Sequence, residues 1–105
     1  MDTMSISLAG MSAATVGVTT VADNVANSNS KGYKSKRPDF EENLEGGVTL
    51  SGLTESEEGG SPDASNVNLD TEMTNLLVYA DTYKVNAKAL EARKEILGTV
   101  MDMKA

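Results

Sequence analysis

Three clusters of charge are the places where this chain of 105 residues could do chemistry. Asp39, Glu41, Glu42 and Glu45 form one acidic run, and Glu55, Glu57, Glu58 and Asp63 form a second. Clustered carboxylates can hold a hard cation such as calcium. Their spacing matches no EF-hand loop, so a solvated connector is the expected state. Lys31, Lys34, Lys36 and Arg37 surround Tyr33 and could make a nucleic-acid patch. The acidic run beside them cancels that field, and a net charge of −7 opposes a nucleic-acid partner. Basic residues just past a helix end have the simpler role of offsetting its dipole. The chain has no His and no Cys, which excludes the usual zinc sites, His- or Cys-based catalysis and disulfides. Acid–base chemistry would need paired carboxylates in a pocket, whereas these are expected on a loop or on exposed helix strips. No catalytic residue, metal or cofactor is therefore expected.

The elements around these clusters are two helices. The length fits one small domain, residues 1–105, divided into a helix over 4–27, a connector over 28–66 and a helix over 67–104. In the second helix, Leu69, Met73, Leu76, Ala80, Tyr83, Ala87, Leu90, Lys94, Leu97 and Met101 repeat at alternating steps of four and three. That is the seam pattern of a coiled-coil-like helix. A second stripe, Val78, Val85, Ala89, Ala92, Ile96 and Val100, lies roughly opposite. Asn68 is a suitable N-cap, with Asp70 and Glu72 in the first turn where negative charge is favoured.

The first helix carries Met4, Leu8, Met11, Thr15, Val18, Ala22 and Val25 at the same spacing. Its other side presents Ile6, Ala9, Ala13, Val16 and Gly17, small enough for another backbone to approach. Asp23 is the sole charge between Asp2 and Lys31, which favours burial on more than one side. The predicted fold is thus dominated by α-structure: two long helices in an antiparallel coiled-coil-like hairpin. Leu8, Met11, Val18 and Val25 would pack on Leu76, Ala80, Tyr83, Ala87, Leu90 and Leu97. The connector is expected to be irregular, with room for a short β-hairpin where Val48, Leu50 and Leu53 follow Gly46-Gly47. At 1.5 Å per residue the second helix is about 50 Å long and the first about 35 Å, so the first cannot cover the second. The uncovered length and the second stripe, Val78 to Val100, both call for a partner outside the chain. With no basic start and no pure apolar run, neither a cleaved signal nor a membrane span is expected.

Two stretches resemble the bacterial flagellar basal-body rod and hook axial proteins. Leu8-Ala9-Gly10-Met11-Ser12-Ala13, leading to Ala22-Asp23-Asn24-Val25-Ala26-Asn27-Ser28-Asn29-Ser30-Lys31-Gly32-Tyr33-Lys34, is similar to the family's N-terminal signature. Its matching positions are Ala22, Asn24, Ala26, Asn27, Gly32 and Tyr33. Ser65-Asn66-Val67-Asn68-Leu69-Asp70-Thr71-Glu72-Met73, with Tyr83 and Asn86-Ala87 further on, is similar to the C-terminal signature. Here the matching positions are Ser65, Asn66, Val67, Leu69, Glu72, Met73, Tyr83, Asn86 and Ala87. Asp23 stands where the family usually has Asn, Ser30 replaces Thr, and Ala80-Asp81-Thr82-Tyr83 lacks the family's common Arg. The connector is also much shorter than in hook and distal-rod proteins, so the chain looks like a minimal, proximal-rod-like member.

The resemblance implies a structural subunit of the basal-body rod that assembles through its terminal helices into a helical axial structure. It implies export through the flagellar type III apparatus without a cleaved signal, and a place in the periplasm-spanning rod. Its partners would be itself, other rod and hook axial proteins and the export apparatus, with neither nucleic acid nor a membrane span involved. Val78, Val85, Ala89, Ala92, Ile96 and Val100 would then meet neighbouring subunits. An alternative from the pattern alone is a small helical-hairpin adaptor or chaperone that binds a partner helix without polymerising. A subunit should self-associate, while an adaptor should saturate at a fixed ratio.

Overall fold

The structure, a computed structural model, describes residues 3–57, 59 and 62–104, with side chains described as far as Met101. Four elements follow in order: α1 (Thr3–Ala26), β1 (Lys36–Glu42), β2 (Val48–Glu55) and α2 (Leu69–Lys104). The two helices dominate and run antiparallel. The particle measures 67 × 25 × 14 Å, with a radius of gyration of 18.1 Å. A compact chain of this length would have about 13 Å, so the molecule is a short rod.

The helix boundaries fall within two residues of the expected ones. Asn68 accepts bonds from the backbone N–H groups of Asp70 at 3.0 Å and Thr71 at 3.3 Å, capping the start of α2. Val67 and Asn68 therefore lie just before α2, not inside it. At the other boundary, Asn27 folds its side-chain amide back onto the Asp23 carbonyl at 2.9 Å and ends α1. Gly32 then takes a φ of +70°, a left-handed conformation that a side chain would strain.

The packed face of α1 differs from the expected one. Leu8 and Val25 are exposed, and the buried residues are Ser7, Ala14, Gly17, Thr20, Val21 and Asn24. The seam is rotated toward the small residues because these let α2 approach closely. Side chains seven apart on α2 sit over positions seven apart on α1: Glu72 at Asn24, Tyr79 at Gly17 and Asn86 at Gly10. A Cβ added to Gly10 would lie 2.6 Å from the Asn86 side-chain amide, which would have to rotate away. On α2 the face is correspondingly shifted. Leu76, Ala80, Ala87 and Leu90 are half-buried, but Tyr83 and Leu97 are exposed. Among α1's hydroxyls, Thr15, Thr19 and Thr20 donate to carbonyls one turn back, which removes their cost in an apolar helix.

The hairpin also differs. It uses Lys36–Glu42 as its first strand, a stretch whose charges and Pro38 suggest a loop. The strands pair antiparallel, with a bulge where Asp39 faces Gly52 and Phe40 faces Leu50. Ser51, the extra residue, donates its hydroxyl to the Asp39 carbonyl at 3.0 Å. The turn is made by Gly46 and Gly47, both at positive φ. The backbone of the hairpin lies closest to α1, while its side chains share cavities with α2. Val48, Thr49 and Leu50 lie along Ala9, Ser12, Ala13 and Val16. α1 is thus the middle layer, covered by α2 on one face and by the hairpin on another.

α1 is more apolar than the expectation of no membrane span allows. One 18-residue window reaches a mean hydropathy of 1.4, enough by length and composition to cross a bilayer. α2 and the hairpin cover part of this surface, with 28% of the window buried.

Candidate functional site

The two signature stretches meet at one polar cluster beside the end of α1. Asn24, on the last turn of α1, is 1% exposed. Its Oδ1 accepts the Tyr33 hydroxyl at 2.9 Å and the Lys36 backbone N–H at 2.9 Å. Its Nδ2 donates to the Lys36 carbonyl at 2.8 Å and to both Glu72 carboxylate oxygens at 3.1 Å. An asparagine side chain has two donor hydrogens and two acceptor lone pairs, and all four are used. Asn24 therefore pairs with Lys36 as a neighbouring strand would, and so sets where β1 begins.

Asn66 performs the same task at the open end of the hairpin. Its Oδ1 accepts the Ser35 N–H at 2.6 Å, and its Nδ2 donates to the Ser56 carbonyl at 2.9 Å. Its own N–H donates to the Tyr33 carbonyl at 3.1 Å, and next to it Gly32 N–H donates to the Ala64 carbonyl at 3.2 Å. The residues before β1, after β2 and before α2 are thereby tied together. Every buried side-chain polar atom among the described residues has a hydrogen-bond partner.

The Tyr33 phenol is held above its ordinary pKa of 10.0, chiefly by burial and then by the Asp23 charge, with Glu72 and Glu55 adding to it. Its hydroxyl also approaches Asp23 at 3.4 Å. Below pH 10 the phenol is neutral in both folded and unfolded chains and contributes no pH dependence. As pH rises past 10 the unfolded chain releases this proton first, so folding stability falls. Tyr79 is shifted in the same direction, mainly by burial. Tyr33→Phe should therefore make the alkaline loss shallower without abolishing it, as read from urea midpoints on either side of pH 10. An unchanged slope would refute this role for the Tyr33 proton.

Of the signature residues, the structure gathers Asn24, Gly32, Tyr33, Asn66 and Glu72. Asn27 forms the cap of α1, and its Oδ1 accepts the Ser30 hydroxyl at 3.0 Å. Ser65 accepts the Val67 N–H at 3.1 Å, in the turn before α2. Ala22, Ala26, Leu69 and Met73 are left on the surface, and Tyr83, Asn86 and Ala87 lie farther along α2. Val78, Val85, Ala89, Ala92, Ile96 and Val100 are all exposed. Among the described residues, no group of His, Cys, Asp or Glu is arranged to hold a metal. The roles of Asn24 and Asn66 in placing the strands were not legible as a motif's chemistry, since their partners are backbone groups distant in sequence.

The cluster joins α2 to the rest of the chain, and α2 is the part with recognisable kin. Residues 60–103 match the family described as flagellar basal body rod FlgEFG protein C-terminal. That match supports a rod-type structural role, a place in the flagellar basal body and association with other flagellar rod proteins. The rod family is structural, not enzymatic. The matched stretch contains the Ser65–Met73 signature and nearly all of α2, so the rod-family segment supplies Asn66 and Glu72 to the cluster. No curated protein is significantly similar to the chain.

Proposed function

We propose that this chain is a subunit of the flagellar basal-body rod, assembling through α1 and α2 with further copies and other axial subunits into a helical structure. The observation that carries the reading is the free length of α2. The seven-residue steps that pair the helices bring Thr3 level with Arg93, so Lys94–Lys104 runs about 16 Å beyond α1. From Glu91 to Met101 every residue is exposed, including Ile96, Leu97, Val100 and Met101. Val78 and Val85 extend this apolar surface back along the helix, at 56% and 66% exposure. Apolar surface of this extent on an elongated particle suits burial between subunits. On this reading the subunit reaches its site through the flagellar export apparatus, as the resemblance implies.

Light scattering and circular dichroism across one concentration series test the proposal. Mass should rise with concentration without reaching a fixed small stoichiometry. Val85→Asp and Ile96→Asp should each weaken association by at least about tenfold. The dilute chains should keep their helix content, because exposed substitutions typically change folding by within about 0.5 kcal/mol. Saturation at a fixed ratio with a partner helix, without self-association, would indicate an adaptor instead.

A further inference from the structure

The seam between the helices ends in unlike charges. Glu72, Tyr79, Asn86 and Arg93 fall seven residues apart, nearly on one line of α2. The first three face Asn24, Gly17 and Gly10, and the next step reaches Thr3, where α1 begins. Arg93 therefore stands exposed at the point where the seam runs out. At the opposite end Glu72 is 5% exposed. Its carboxylate offers about four acceptor positions. Asn24 spends one amide hydrogen on Lys36 and shares the other between the two Glu72 oxygens. Among the described residues neither Glu72 nor Arg93 forms an ion pair. A carboxylate this buried is ordinarily matched by a cation.

Glu72 also lines a polar cavity of about 330 Å³, with Thr54, Glu55, Thr71 and Asn75 among its walls. Lys36 and Arg37 line the same cavity, but neither forms an ion pair with Glu72, and Arg37 lies 3.8 Å from Asp39. α2 is polarised in the same sense. Residues 69–82 carry Asp70, Glu72 and Asp81 with no cation, whereas 83–104 carry Lys84, Lys88, Arg93, Lys94 and Lys104 against Glu91, Glu95 and Asp102. A planar guanidinium fork is the group best matched to a carboxylate with free acceptor positions.

We infer that the Glu72 cavity receives the Arg93 side chain of a second copy, joining subunits head to tail; this rests on the rod-subunit reading. The contact is heterologous, since receptor and key lie at opposite ends of the seam, and it leaves a free receptor and a free key on every dimer. It therefore propagates along an axis instead of closing.

Sedimentation velocity on the full chain tests the joint. Arg93→Gln and Glu72→Gln should each weaken association at least about thirtyfold, as for a desolvated charge pair losing one partner. Dilute helix content should be retained, because glutamine can still accept from Asn24. A one-to-one mixture of the two variants should recover dimers but nothing longer, since one variant keeps the receptor and the other the key. If the wild type associates and Arg93→Gln associates equally well, or the mixture recovers no dimer, the joint is overturned while the rod-subunit reading stands. A wild-type chain that stays monomeric at millimolar concentration overturns both. Should Glu72→Gln fail to fold, the exposed Arg93→Gln and Arg93→Lys decide: the joint requires lysine to restore part of what glutamine loses, and equal association by all three chains overturns it.

Discussion

Asn24→Ala should lower folding stability by about 3–5 kcal/mol, measured by urea unfolding at neutral pH. The mechanism is the loss of one side chain that satisfies four groups. Alanine leaves the Tyr33 hydroxyl, both polar atoms of the Lys36 peptide and the Glu72 carboxylate without their present partner. Each neutral group left unpaired when buried costs roughly 1–3 kcal/mol, and water entering the vacated space recovers part of the total. The loss is a large share of the ~5–15 kcal/mol expected for a whole domain. The substitution also frees β1 from α1, so amide exchange in Lys36–Glu42 should speed up more than exchange in the middle of α2. A loss below about 1 kcal/mol would mean that the cluster is incidental to the fold.

The second large effect is expected at the closest approach of the helices. Gly17→Ala would place a methyl group inside contact distance of the Tyr79 ring, at ring carbons near the side-chain stem and not at a flexible tip. The ring cannot withdraw without the helices separating. Overpacking of this kind costs about 1–3 kcal/mol and occasionally more. Helix propensity works the other way, by about 1 kcal/mol in favour of alanine. Packing should win, for a net loss of about 1–2 kcal/mol. Two related substitutions separate the terms. Gly10→Ala meets the Asn86 amide, the end of a side chain that can rotate away, and should be milder. Gly98→Ala meets nothing within 4 Å and should raise the helicity of the free end of α2. Stabilisation by Gly17→Ala comparable to that expected at Gly98 would show that the helices do not pack through this glycine.

These two sites also show why the seam was legible only in outline. A periodicity of four and three identifies a helix, and it does so well for both helices here. It does not say which of several apolar lines faces inward when the largest side chains lie on one line and the smallest on another. Burial of large residues would favour Leu8 and Val25. The structure instead places Gly10, Ala14 and Gly17 inward, because close approach brings two backbones and the broad faces of Tyr79 and Asn86 together. The large residues are left for other neighbours, the hairpin for some and the outside for others.

The hairpin was half legible. Gly46-Gly47 and the alternation after it pointed to β2. Nothing local marked Lys36–Glu42 as its partner, since charges and a proline describe a loop as well as an exposed strand in a two-stranded sheet. Asn24 and Asn66 supply the missing information, by holding the residues around β1 and β2 with side-chain amides. A side chain that pairs with backbone twelve or thirty-one residues away leaves no spacing to read.

What the sequence determined by itself was therefore the two helices, the strand after Gly46-Gly47 and the likeness to rod proteins. Two long helices of unequal length, the N-cap at Asn68, the lack of His and Cys, and two stripes on α2 all follow from local propensity and composition. These are properties of single segments, and single segments carry them. The tertiary structure alone decided which face of α1 is inside, where β1 lies, and that Asn24, Tyr33, Asn66 and Glu72 form one cluster. It also decided that the seam ends with Glu72 buried at one end and Arg93 exposed at the other. Each of these depends on the relative depth and rotation of two packed helices, set by how closely Gly10 and Gly17 let them approach, and no segment specifies that alone.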